Sequence, residues 1–113
     1  MVEDLERRDQ DRLRRALACK LLVDGQTRQG MLRDLSAWGA FVELHEDLPP
    51  GAGVILAFGT PEGPRFVLEA TARRGSPVAH SLRHHASRGV GLCLHEPPTG
   101  YLHWLVDASR ETV

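Results

Sequence analysis

The chain has 113 residues, a net charge of −1, 42% apolar and 26% charged side chains, which leaves room for one domain burying roughly two thirds of its unfolded surface. These proportions exclude wholesale disorder and a fibrous repeat. No apolar run approaches the ~20 residues that span a bilayer, and the charged start MVEDLERRDQDR lacks the apolar stretch of a secretory signal, so a cytoplasmic protein without membrane insertion is expected.

Residues 1–15 carry few apolar side chains besides Leu5 and Leu13, too few to fix the segment on a core unaided, and are expected to form a flexible N-terminal arm. Glu3 with Arg7, Asp4 with Arg8 and Asp11 with Arg15 fall at i,i+4 in acid-first order, which would support a frayed helix there. From residue 16 to 113 the pattern changes to short apolar runs divided by turn residues, the signature of an antiparallel sheet. Ala16 to Val23 reads as a strand, Asp24-Gly25 as a hairpin turn, and Thr27 to Leu32 as the partner strand. Asp34 to Gly39 is a tight connection. Ala40 to Leu44, Val54 to Phe58, Phe66 to Ala72 and Gly89 to His95 complete six strands, separated by Pro and Gly clusters.

Gly75 to Arg88 reads as a polar, histidine-rich exposed loop. After Pro97-Pro98, Thr99 is placed to cap a helix whose apolar stripe would be Tyr101, Leu102, Leu105 and Val106. Trp104 is expected in the core, and Trp38 either covers the barrel end or faces a ligand. Cys19 and Cys93 lie in apolar segments and read as buried, reduced thiols. The economical architecture is a mainly all-β, six-stranded antiparallel barrel, closed so that no edge is exposed, with the helix over one open end.

Catalysis finds little support. The chain lacks a metal-ligand spacing, a phosphate-binding glycine loop and a nucleophile elbow, so no enzyme activity, metal or cofactor is expected. His80, His84 and His85 have no matching ligand at metal spacing and read as a solvated loop. DNA or RNA binding is disfavoured by the near-zero net charge and the 5% aromatic content, which leaves few stacking platforms.

Two patterns remain. Arg8 and Arg12 stand four apart at the junction of the arm with the first strand, and Asp34, Ser36 and Gly39 form a DxSxxG turn between strands two and three. Each alone has a plain alternative, a chance pair of arginines or an Asx-type turn in which Gly39 supplies a permissive φ. In this order and spacing they resemble the PilZ family of cyclic di-GMP receptors. Arg74, expected at the end of strand five, and Gly89-Val90-Gly91-Leu92 extend the resemblance over essentially the whole chain from Arg7 onward. Asp9 and Asp11, inside a loop usually basic or apolar, and Leu94, where phenylalanine is common, depart from the family pattern.

The resemblance implies a bacterial second-messenger receptor, a PilZ-type barrel whose arm folds across it so that Arg8, Arg12, Asp34, Ser36 and Gly39 grip the ligand from two sides. It also implies that Arg7 goes with a stacked pair of ligands, and that the ordered arm signals to an unidentified protein in motility or biofilm regulation. The chemistry suits: guanidinium groups stack on a base, pair with its O6 and N7 or clasp phosphate, Asp34 accepts from a guanine edge, and Gly39 leaves space for close approach. The alternative is a PilZ-fold adaptor that binds no nucleotide and acts through protein contacts.

Overall fold

Alternation of buried apolar and more exposed side chains along the strands dictates which face turns inward. In the computed structural model residues 12–73 and 88–111 are described; the expectations about Arg7, Arg8, Arg74, Asp9, Asp11 and the three loop histidines lie outside them. Six strands run in chain order, β1 (Leu17–Val23), β2 (Gln26–Leu35), β3 (Gly39–Leu44), β4 (Gly53–Gly59), β5 (Arg65–Ala72) and β6 (Arg88–Leu94), followed by helix α1 (Thr99–Glu111). All neighbours are antiparallel. The strands close into a barrel in the spatial order β1-β2-β3-β6-β5-β4.

Asp24 and Gly25 both adopt positive φ, 52° and 77°, the geometry of a two-residue hairpin turn that matches strand twist. The resulting β2 is longer than the expected Thr27–Leu32 and runs on to Leu35, because a register shift between Leu32 and Asp34 absorbs an extra residue. Leu32 and Leu35 therefore both face the core, with two residues between them instead of one.

Leu21, Leu56, Leu68 and Leu92 fill the barrel interior, and α1 closes one end. Its buried stripe is Tyr101, Trp104, Leu105 and Ala108, spaced i, i+3, i+4 and i+7. Leu102 and Val106, expected on that stripe, are only partly buried. Tyr101 and Trp104 pack with Phe58 and Phe66, ring centroids lying between 5.5 Å for Phe66 with Trp104 and 6.5 Å for Phe58 with Tyr101. Such pairs add about 0.5–1.5 kcal/mol each beyond area burial. The helix starts one residue earlier than expected: the Pro98 carbonyl accepts from the amides of Tyr101 and Leu102, so Pro98 occupies the cap and Thr99 is the first helical residue.

Cys19 is buried, and burial pushes its thiol up to about 11. Cys93 is exposed, contrary to expectation, because Leu92 and Leu94 turn inward and the pleat sends the residue between them outward.

Candidate ligand-binding site

The irregularity in β2 also shapes the outer surface. Between the two inward leucines, Arg33 donates from Nε to Glu43 Oε1 at 2.8 Å, and Asp34 sits opposite Phe41 of β3. The acid expected in a connection thus stands on the end of a strand, where the sheet fixes its backbone.

The turn that follows is held from within. The Ser36 amide donates to the Gly39 carbonyl at 2.9 Å. The Ser36 hydroxyl accepts from the amides of Trp38 and Gly39, at 3.3 and 3.1 Å, and donates to the Gly39 carbonyl at 3.3 Å. With its hydroxyl engaged in this way, Ser36 builds the corner. Gly39 is not among the described residues with positive φ, so a permissive φ does not explain it. The reason is space, since a Cβ there would lie 3.0 Å from the Leu92 carbonyl of β6.

The corner is anchored from below by Tyr101, whose buried hydroxyl donates to the Ser36 carbonyl at 2.8 Å. Burial, with the negative charge of Asp34 adding to it, holds this phenol well above its ordinary range, so it stays a donor.

Leu13 brings the two sequence motifs together. Its amide donates to the Leu35 carbonyl at 2.7 Å, the Leu35 amide returns a bond of 2.8 Å, and its side chain is buried in the core. The described part of the arm, from Arg12, is therefore held on the barrel. Arg12 stands one residue before this bridge and Asp34 one residue before its other half, and Arg12 Nη1 meets Asp34 Oδ2 at 3.1 Å. Two opposed influences act on the Asp34 carboxyl: burial raises it above its ordinary value, while the positive charges of Arg12 and Arg14 pull it down, leaving a net rise.

From Asp34 the outer face continues across Phe41 and its partner Gly91 to Arg73, whose amide donates to the Gly91 carbonyl at 2.8 Å. The Arg73 side chain lies over Gly91, and a Cβ at Gly89 would clash with the edge of the Phe41 ring at Cζ. Four strands at ~4.8 Å make this row about 14 Å wide. The row offers a carboxylate, an aromatic ring and a guanidinium, the last two packed over a glycine floor. Trp38 stands beside it, 49% exposed. Arg74, expected at the end of strand five, lies outside the described residues; among them it is the adjacent Arg73 that reaches β6, and the paired arginines at the end of β5 are the available signal. Leu13, Phe41 and Tyr101 also went unnoticed as site residues, since each acts through a partner distant in sequence.

A PilZ domain profile matches residues 6–108. The chain belongs to the PilZ domain family. PilZ domains are receptor and adaptor domains, known as receptors and effectors of cyclic di-GMP. The barrel is similar to that of the Bacillus subtilis inhibitor of motility (MotI/DgrA), with a TM-score of 0.71 and 19% identity over 89% of this chain and 48% of that one. It is also similar to the PilZ domain of CeSA from a cellulose synthesizing bacterium, at TM-score 0.60 and 13% identity over 89% and 96% of the two chains. This PilZ chain spans about half the length of the motility inhibitor. No curated protein matches it significantly. Among the described residues of the PilZ domain, no helix is long and apolar enough to cross a membrane.

Proposed function

We propose that this PilZ domain is a cyclic di-GMP receptor without enzymatic activity, and that it passes the signal to a protein partner. One observation carries the reading: the Leu13–Leu35 bridge sets Arg12 against Asp34, so the last residue of the RxxxR motif meets the first of the DxSxxG motif on one exposed face. Arg8 and Arg12 clasp phosphate and guanine edges, Asp34 accepts from a guanine N–H edge, Gly39 lets β6 approach the corner, Arg73 borders the far side, and Arg74 adds a second guanidinium to the ligand. Ser36 acts by shaping the corner. The residues before Arg12 come to rest against the bound nucleotide and present the partner with a changed surface. The fold shared with a motility inhibitor supports a partner in motility.

Calorimetric titration of the full chain with cyclic di-GMP tests this. Each bidentate arginine–guanine contact contributes about 1–3 kcal/mol, so Arg12→Ala weakens binding roughly ten- to a hundred-fold and Arg8→Ala,Arg12→Ala abolishes measurable heat. Two nucleotides per chain is the expected stoichiometry if Arg7 stabilises a stacked pair. Absence of binding by the unaltered chain overturns the receptor reading in favour of an adaptor.

A further inference from the structure

On the side of the barrel formed by β1, β4 and β5, the outward positions make two rows. Register places Lys20 beside Ala57 and Ala57 beside Val67; in the next row Leu22 lies beside Ile55 and Ile55 beside Glu69. Leu22 and Val67 are 43% and 65% exposed, and Ile55 and Ala57 form a half-buried apolar strip between them. Lys20 and Glu69 are both exposed and occupy diagonally opposite corners. Neither takes part in an ion pair among the described residues. A closed barrel offers no free strand edge, so its strands can associate with another copy only through a face.

This pattern is complementary to itself. A two-fold axis lying between two such faces, along the diagonal from Leu22 to Val67, sets Lys20 of each copy against Glu69 of the other. It places Leu22 against Leu22, Val67 against Val67, and the Ile55–Ala57 strip against its equivalent. The strands of the two copies then cross steeply, within the orthogonal class of sheet packing, and the contact is isologous as a dimer requires. We infer that the β1-β4-β5 face pairs with the same face of a second copy, its apolar centre flanked by two symmetry-related Lys20–Glu69 ion pairs. The two rows hold six outward residues, against roughly 20–30 a side in a stable interface, so the dimer is weak and concentration-dependent.

Sedimentation equilibrium of the full chain, without nucleotide, from about 10 to about 500 µM tests this independently of ligand binding. The expected result is a mass rising toward that of two chains. Val67→Asp returns a monomer throughout. Lys20→Glu or Glu69→Lys alone weakens association about ten-fold or more, because each turns both ion pairs into like-charge contacts, while the double reversal Lys20→Glu,Glu69→Lys restores it. All three substituted positions point outward, and circular dichroism verifies the fold of each variant. A wild-type chain still monomeric at about 500 µM, or a double reversal that stays as weak as the single ones, overturns the inference.

Discussion

Asp34, assigned to recognition in the proposed site, carries a cost to stability. Burial raises its folded-state pKa above the ordinary value of 3.8, so its stabilising share is present in full below that value and is lost as pH rises through the folded pKa. At neutral pH the ionised carboxylate is an expense offset only in part by Arg12 and Arg14. Arg12 is about half exposed, and an ion pair of that kind contributes little. Asp34→Asn is therefore expected to leave the ligand-free protein as stable as before, or more stable by on the order of 1 kcal/mol or less, with the difference vanishing at pH 3. The same variant loses nucleotide binding in the proposed site. Thermal melts at pH 7 and pH 3, beside a titration at pH 7, measure both effects; a large loss of stability at pH 7 would refute the assignment.

At the scale of elements, the root of the arm, β2 and the corner after it act as one piece. Leu13→Ala removes a buried side chain at the only backbone bridge between the arm root and β2 among the described residues. The expected cost is about 2 kcal/mol, the low end for Leu→Ala substitutions. It also releases Arg12 from Asp34, so nucleotide affinity falls although Leu13 touches no ligand. Unfolding curves and titration of one preparation check the pair of effects together.

Nothing local announces this role: Leu13 stands among Arg12, Arg14 and Arg15, and only the approach of Leu35, 22 residues later, gives it a pocket. By contrast, strand alternation and the Asp24-Gly25 turn are local signals, and the first hairpin was legible from them. The helix face was legible only in part. Four apolar side chains out of Tyr101, Leu102, Trp104, Leu105, Val106 and Ala108 can be aligned in more than one way, and the aromatic pair Phe58 and Phe66 decides which face turns inward. The need for glycine at position 39 was equally invisible, since it arises from the Leu92 carbonyl of another strand.

For the whole molecule, the ring order divides the barrel into two faces. The strands β2, β3 and β6 carry the corner and the glycine floor, and the row ends at Arg73, just past β5 and six residues beyond Val67; β5, β4 and β1 form the opposite arc with Leu22 and Val67. The proposed ligand site and the proposed dimer face accordingly do not overlap. Saturating cyclic di-GMP is expected to leave the dimer constant unchanged within about two-fold, and by reciprocity Val67→Asp leaves nucleotide affinity unchanged. Sedimentation with and without the nucleotide reads the first, calorimetry the second. That six strands close into one barrel was legible from turn spacing; which arc faces which was not, because β6 inserts between β3 and β5 out of chain order.

Glu62, on the β4–β5 loop, joins two otherwise distant parts. Arg15 reaches both of its oxygens, at 3.0 and 2.9 Å, and the Trp104 indole donates to Oε1 at 3.2 Å. A displacement of the arm root that withdraws Arg15 alters the charge beside an indole largely shielded from water. The protein thereby holds an intrinsic optical gauge of its own leader, readable without any attached dye once Trp38, the second emitter, is silenced.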